Sequence, residues 1–157
     1  MKENKLKGLF SRASDDWKTP GNLYRAFMEA GFIDPCPYQA TEDGLKTIYE
    51  DKKLFINPPF SKMSDWIDYA IRCWCNECAI ALLIPARTDT RYFHKILQLN
   101  PDIYFIKGRL HYNESEKKNA PFPSVLIWIN NFCSNQYRGY YSISLEQLIN
   151  KIKENKL

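Results

Sequence analysis

A rigid turn with two hydrogen-bond acceptors follows a short apolar segment in the first half of the chain. Residues 54–56 are apolar, and they are followed directly by Asn57, Pro58, Pro59 and Phe60. Two consecutive prolines restrict the backbone and remove its N–H donors, so nearby carbonyl groups lack local partners. The side-chain oxygen and the backbone carbonyl of Asn57 can together hold an amino group with two hydrogens. Phe60 offers a flat apolar surface on which a planar amine-bearing ring can stack.

These residue types suit one kind of chemistry. An amine conjugated to an aromatic ring is a poor nucleophile, because its lone pair is delocalised into the ring. Acceptors that bind its hydrogens as the nitrogen becomes tetrahedral stabilise the developing positive charge, and they favour attack on an electrophilic methyl group. The proton can leave after the transfer, so the site needs no His or Glu base at the outset. Residues 57–60 therefore indicate methyl transfer to a ring amine.

Apolar spacing and capping residues predict four helices that would position this turn. The predicted helices are one from Pro20 to Gly31 with Thr19 as its cap, one over 63–74 with Ser61 or Ser64 as its cap, one starting within 88–90, and one opening with the capping box 144–147.

Six short apolar segments between the helices are predicted to be strands. They are 32–33, 54–56, 79–84, 103–106, 125–129 and 140–143. Two of them, 79–84 and 125–129, are apolar throughout, which is typical of strands covered on both faces. The alternation predicts an α/β domain with a mostly parallel sheet and helices on both faces, and the excess of strands after residue 103 predicts an antiparallel edge. The polar segment 107–124 is predicted to be a surface loop beside the site.

The composition limits the class of protein. A chain of 157 residues fits one domain over 1–157, in which 1–12 and 153–157 are expected to be frayed ends, and it leaves no stretch for a separate target-recognition domain. Lys and Arg exceed Asp and Glu by 22 to 18, a net charge of +4 that permits a polyanionic partner without requiring one. No apolar run approaches the about 20 residues that span a bilayer, and no signal core follows the basic start. We therefore expect a cytoplasmic protein.

The cysteines raise the question of a metal site. Cys73, Cys75 and Cys78 are three of the five cysteines, and thiolates at such short spacing can share a zinc ion. A structural zinc site needs a fourth ligand, and no second paired set of cysteines or histidines follows. We therefore predict that the protein has no metal site and that these are reduced cysteines at the end of a helix.

Several segments together resemble a known family. NPPF after an apolar strand resembles the motif in which Asp, Asn or Ser precedes Pro-Pro and an aromatic residue in methyltransferases that act on conjugated amino groups. It is accompanied by DDWKTP at 15–20, IDPC at 33–36, LLIPARTDTRYFH at 82–94, KGRLHY at 107–112 and APFPS at 120–124. In this order the segments are similar to the compact phage-encoded DNA N(6)-adenine methyltransferases, over residues 13 to about 130.

The resemblance implies a Rossmann-like class I methyltransferase that uses S-adenosyl-L-methionine to methylate the exocyclic amine of adenine at specific DNA sites. Residues 57–60 would hold the adenine, which must be flipped out because its amine is inaccessible inside the duplex. The implied cofactor contacts are Trp17, Thr19, Pro20, Asp34, Pro35 and Cys36. The implied DNA contacts are Lys62, Arg87, Asp89 and Arg109, with Lys62 placed to meet a phosphate.

The sequence also departs from the family pattern. Many methyltransferases have a glycine-rich turn where the backbone approaches the cofactor, but no glycine lies between Asp34 and Gly44. The alternative is therefore a non-catalytic relative that binds nucleic acid or another protein. A lesser alternative is methyl transfer to cytosine, RNA or protein glutamine, because the acceptor pair suits any conjugated amine. Sequence choice would come from loops, a specificity partner or a homodimer, and the resemblance implies a phage or mobile-element gene acting in a bacterial host cell.

Overall fold

The computed structural model describes residues 17–112, 119–130 and 139–157. In chain order these residues form helix α1 (Gly21–Glu29), strand β1 (Lys53–Ile56), helix α2 (Met63–Cys75), strand β2 (Ala79–Pro85), helix α3 (Arg91–Leu97), strand β3 (Asp102–Ile106), strand β4 (Ser124–Ile129), strand β5 (Tyr140–Ile143) and helix α4 (Leu145–Lys153). Short 3₁₀ turns at Gly44–Lys46 and Phe60–Lys62 precede β1 and α2.

The strands form one mixed sheet in the order β1-β2-β4-β3-β5. β1 pairs with β2 and β3 pairs with β5 in parallel, whereas β4 is antiparallel to both of its neighbours. The predicted antiparallel edge is therefore wrong, because the antiparallel strand lies inside the sheet. All six residues of β4 are buried. Its neighbouring strands cover both of its edges, and the helices cover both of its faces. The predicted strand 32–33 contributes only an isolated bridge, from Ile33 to Leu54.

One edge of the sheet collects the segments that the sequence analysis singled out. β1, β2, β3 and β5 run in the same direction, so their carboxyl ends meet at one edge, and the antiparallel β4 begins there. The Ala86 N–H donates to the Pro123 carbonyl at 2.9 Å, which joins the end of β2 to the segment before β4. We call this edge the carboxyl edge, and its described segments are 57–62, 86–90, 107–112 and 119–123. In α/β sheets this is the edge at which ligands bind.

Helices cover both faces of the sheet, as predicted. On one face, α1 and α4 pack against a core in which Phe27 stacks on Phe55 with ring centroids 4.2 Å apart. On the other face, α2 and α3 bury side chains such as Trp66, Ile67 and Phe93. The two cores fasten α1 and α2 to either side of β1, whose end carries the Asn-Pro-Pro turn.

The observed helix caps agree with the predicted cap at α4 and differ from the predicted caps at α1 and α2. The capping box of α4 is confirmed: the Gln147 N–H donates to Ser144 Oγ, and the Ser144 N–H donates to the Gln147 side chain. The predicted Thr19 cap of α1 is wrong, because Pro20 occupies the N-cap without a side-chain bond. The predicted Ser61 or Ser64 cap of α2 is also wrong, because a 3₁₀ turn leads into that helix and Lys62 is its N-cap.

Two predicted surface segments are more tightly held than expected. After α4 the Lys156 N–H donates to the Lys151 carbonyl and Leu157 packs on the core, which differs from the frayed end expected over 153–157. Within the predicted loop 107–124, Leu110, Tyr112 and Ala120 are buried. Residues 1–12, expected to form the other frayed end, lie outside the described residues.

The cysteines of the CWCNEC segment differ in exposure. Cys73 and Cys78 are buried and Cys75 is exposed, and all three are free thiols. Within the described residues, no three His, Cys, Asp or Glu side chains are grouped as metal ligands. The same part of the chain contains no helix that is both long and apolar enough to cross a membrane.

Candidate active site

An open cavity of about 1280 Å³ lies at the carboxyl edge beside β1. Its walls are residues 17–19, one side of α1, the turn after Ile33, the loop 37–45, residues 57–59 and 61–62, and one residue of α2. It brings together residues that the sequence analysis took from separate segments: Trp17, Thr19, Asp34, Pro35, Cys36, Asn57, Pro58, Pro59 and Lys62. The structure thus places the predicted cofactor and catalytic segments side by side, and their individual roles stay predictions.

The other predicted site residues lie outside the cavity wall. Pro20 is buried at the N-cap of α1, and Phe60 lies beside the cavity without lining it. Arg87 and Asp89 follow β2 and Arg109 follows β3, and all three are exposed at the carboxyl edge. None of the three lines the cavity, and their predicted contacts with DNA stay predictions.

The side chain of Asn57 is anchored through its nitrogen. Asn57 Nδ2 donates to the Trp17 carbonyl at 2.8 Å and to Thr19 Oγ1 at 2.9 Å. A carbonyl oxygen can only accept, so the amide group that meets Trp17 must be the nitrogen. Both N–H hydrogens are therefore committed within the protein. Any hydrogen bond that the Asn57 side chain makes to a ligand amine must use Oδ1.

The prolines hold this asparagine in place. Pro58 is buried, and Pro59 adopts φ −62° and ψ 137° before the 3₁₀ turn Phe60–Lys62. The Lys62 N–H closes that turn onto the Pro59 carbonyl at 3.1 Å. The proline rings restrict the backbone, so the turn is stiff. Because neither proline has an N–H, these two residues present acceptors and no donors.

Phe60 belongs to an aromatic cluster made of Trp17, Phe60, Tyr112 and Phe122. Trp17 stacks on Phe60 at 5.8 Å and meets Tyr112 and Phe122 edge-on at 5.8 and 5.1 Å. The buried Tyr112 hydroxyl is hydrogen-bonded to Ser124 Oγ at 2.8 Å. The cluster ties Tyr112 and Phe122 to the turn 57–60. Trp17 stacks on one face of Phe60, and the prediction that Phe60 offers a flat surface to a ligand ring stays a prediction.

The turn after Ile33 carries a carboxyl group with an altered acidity. Asp34 Oδ1 accepts from the Cys36 N–H at 2.8 Å. Burial raises the pKa of Asp34 to about 6, and the Cys36 N–H opposes that rise. Burial, and then the charge of Asp34, raise the pKa of the Cys36 thiol to about 12, so this thiol is neutral at pH 7. Cys36 is therefore part of the wall and not a nucleophile.

The turn 34–36 contains no glycine, but Gly44 approaches this turn closely from another part of the cavity wall. A Cβ atom on Gly44 would lie 1.7 Å from the Pro35 carbonyl oxygen and 3.1 Å from Trp66 Cη2. The loop 37–43 therefore leaves Pro35 and returns into contact with it at Gly44. No local sequence pattern predicts this contact, because the close approach depends on how the loop folds back.

Sequence reasoning missed several residues of the wall. Tyr24, Arg25 and Met28 line the cavity from α1, and Trp66 lines it from α2. Tyr24 and Met28 are four residues apart and thus share one side of α1, a spacing that was available as a signal. It was overlooked because the core residues of the same helix, such as Leu23 and Phe27, account for its apolar periodicity.

Comparison with known proteins shows which family the chain resembles. A family model described as DNA N-6-adenine-methyltransferase (Dam) matches residues 8–153, which include every helix and strand of the structure. The comparison with curated proteins gives no match. The mixed α/β sheet is compatible with a methyltransferase fold, and the family implies methylation of adenine in DNA at N6. The chain belongs to the DNA N-6-adenine-methyltransferase (Dam) family.

Proposed function

We propose that this protein is a site-specific DNA methyltransferase that transfers a methyl group from S-adenosyl-L-methionine to N6 of adenine. The observation that carries the proposal is the commitment of both Asn57 N–H hydrogens to Trp17 and Thr19 in the wall of the cavity. Methyl transfer to an amine requires a hydrogen-bond acceptor at this position. Trp17 and Thr19 bind the Nδ2 atom of the Asn57 amide, so a ligand amine can bind only to Oδ1. The side chain is thus prepared to accept from an adenine amine.

The reacting amine would be held by two oxygens of one residue. Asn57 Oδ1 and the Asn57 backbone carbonyl accept one hydrogen each, and Pro58 supplies no N–H to compete for either oxygen. N6 would form its bond to the methyl carbon as the methyl–sulfur bond of the sulfonium breaks, and the sulfur would leave as a neutral thioether. As N6 gains this bond, its hydrogens become more acidic and both hydrogen bonds strengthen. The stabilisation is therefore greater in the transition state than in the bound substrate, which is the requirement for catalysis. N6 then loses one proton to solvent.

The cavity suits a charged, nucleoside-sized cofactor. Its volume of about 1280 Å³ exceeds the about 300–1,000 Å³ of typical small-molecule sites. Trp17 Nε1 is buried and has no hydrogen-bond partner among the described residues, so it is a donor that a ligand can satisfy. Lys18 and Arg25 line the same cavity as Asp34, so both signs of charge are available to a zwitterionic ligand.

Within this cavity the cofactor would be held by Trp17 and by the turn 34–36. Asp34 supplies a carboxylate that a ligand's hydroxyl or ammonium group can satisfy, and Trp17 supplies an N–H and an aromatic surface. When bound, S-adenosyl-L-methionine provides an electrophilic methyl group on a sulfonium. The loop 37–43 would limit access of water from the outer side.

DNA would lie across the carboxyl edge. Lys62, Arg87 and Arg109 are exposed there and can neutralise phosphates on either side of a flipped adenine, with Asp89 beside the DNA path. We further propose that a single domain carries cofactor and DNA contacts together. Sequence choice would then come from the segments 86–90 and 107–123 or from a partner subunit.

Transfer of labelled methyl groups tests the proposal. Purified protein with methyl-labelled S-adenosyl-L-methionine should label DNA that lacks adenine methylation. Asn57→Ala should lower the rate by about 100-fold or more, because it removes an acceptor directed at the reacting nitrogen. Asn76→Ala, at the exposed end of α2, is the matched control and should label DNA like the wild type.

Two results would contradict the proposal. One is the absence of label in any adenine-containing DNA, and the other is wild-type transfer by Asn57→Ala. Calorimetry with the demethylated cofactor product separates a third case, since a module that only binds nucleic acid should release no heat with it.

A further inference from the structure

We propose that Thr19 is a positioning residue for Asn57, and not a contact for the cofactor. This inference rests on the proposed function and deepens it. Thr19 lines the cavity, but the residue is only 8% exposed, and its Oγ1 accepts from Asn57 Nδ2 at 2.9 Å. The hydroxyl is therefore already engaged on the catalytic side of the wall.

Two acceptors on the same nitrogen define the direction of the amide oxygen. The Trp17 carbonyl decides which end of the amide faces it, because a reversed amide would place Oδ1 against another oxygen. Thr19 binds the second N–H hydrogen, and two bonds from one planar group fix the plane of that group. With both bonds in place, the direction in which Oδ1 can accept is set before any ligand arrives.

Thr19 is itself held by rigid neighbours. The residue before a proline is restricted to extended backbone, and Pro20 follows Thr19 at the N-cap of α1. α1 is fastened to β1 by the stack of Phe27 on Phe55. The hydroxyl and the asparagine therefore belong to two elements that share one core, which is how a side chain can be placed with the tolerance that catalysis needs.

The two possible roles of Thr19 give different kinetics. Thr19→Val removes the acceptor at nearly constant volume, and Thr19→Ser keeps it. A positioning role predicts that Thr19→Val lowers kcat by about 10- to 100-fold. The KM for DNA and the Kd for the demethylated cofactor product should change by less than about threefold, since uniform binding is untouched. Thr19→Ser should restore most of the rate.

A signal that does not depend on turnover makes failure of this inference distinguishable from failure of the proposed function. The two side-chain ¹H–¹⁵N signals of Asn57, assigned by their loss in Asn57→Ala, should both exchange slowly with water in the ligand-free protein. Thr19→Val should shift one of them and speed its exchange, and Thr19→Ser should not. Methyl transfer by the wild-type protein is measured in parallel, so that failure of the proposed function shows as an inactive wild type.

The experiment therefore compares Thr19→Val, Thr19→Ser and the wild type by amide NMR, calorimetry and steady-state kinetics. We expect the altered Asn57 signal and the loss of kcat to occur together in Thr19→Val, with unchanged affinity for the cofactor product. Unchanged Asn57 signals in Thr19→Val would overturn the inference whatever the activity. Weaker binding of the cofactor product with an unchanged kcat would also overturn it, and would make Thr19 a cofactor contact.

Discussion

The carboxyl group of Asp34 is buried in the cavity wall, and its ionised form lowers the stability of the folded protein. Burial raises its pKa from 3.8 to about 6, so the folded state holds this proton more tightly than the unfolded chain. The contribution of Asp34 to stability is therefore fully present below about pH 4 and is lost as the pH rises through 6. A charged group kept in an unfavourable place is typical of a site that a ligand completes.

Asp34→Asn should therefore stabilise the ligand-free protein. The amide oxygen can still accept from the Cys36 N–H, and the buried charge is gone. We expect the free energy of unfolding at pH 7 to rise by about 2 kcal/mol and the gain to fall below about 1 kcal/mol near pH 4. Denaturant unfolding at both pH values measures this. Asp65→Asn, at an exposed position, is the control; equal or lower stability of Asp34→Asn at pH 7 would refute the argument.

Also at the scale of single residues, the sequence predicted Asn57 as a site residue, but it did not predict which atom of its amide is already hydrogen-bonded. An asparagine before two prolines is a local feature, and its chemistry follows from residue types alone. The partners of Nδ2 lie 38 and 40 residues away in the chain, so no local pattern could reveal that the nitrogen is engaged. The aromatic cluster was not predicted for the same reason, because its four rings come from four separate segments of the sequence.

Among the elements, the loop 37–43 depends on one close contact for its shape. Gly44 touches the Pro35 carbonyl, so any Cβ there must displace the turn that holds Asp34. Gly44→Ala should lower the free energy of unfolding by about 1–3 kcal/mol, as overpacking usually does. It should also weaken binding of the demethylated cofactor product by about tenfold or more.

Calorimetry and thermal unfolding of Gly44→Ala test this reading of the loop. Thr47→Ala, exposed just after the 3₁₀ turn and outside the cavity wall, is the matched control. If Gly44→Ala bound the product like the wild type, the loop would not shape the cofactor site.

The elements themselves were largely predictable, and their order in the sheet was not. Apolar periodicity gave the four helices, and the short β-rich segments gave the five strands. The segments 79–84 and 125–129 are both apolar throughout, so composition could not tell which neighbours each would have. β4 is antiparallel to both of its neighbours, and the buried residues before it, such as Leu110 and Tyr112, lie in a polar segment without an apolar period that could have predicted this direction.

Over the whole molecule, basic residues at the carboxyl edge should control affinity for DNA. Arg87→Ala combined with Arg109→Ala removes two exposed cations beside the cavity, without touching its wall. We expect the slope of log affinity against log salt to fall by up to about 2 and the affinity to fall for all sequences alike. Lys52→Ala combined with Arg72→Ala, at the opposite edge, is the control. Equal losses in both double variants, measured by fluorescence anisotropy, would show that DNA does not lie across the carboxyl edge.

The central claim is that the Asn57 acceptors direct methyl transfer to adenine N6 in DNA. Nucleoside mass spectrometry of DNA from methylation-deficient cells that produce the protein tests it most directly, because it identifies the modified atom. We predict N6-methyladenine with the wild-type protein and its disappearance with Asn57→Ala at equal protein levels. DNA from wild-type-producing cells that contained only N4-methylcytosine, or no methylated nucleoside, would contradict the claim.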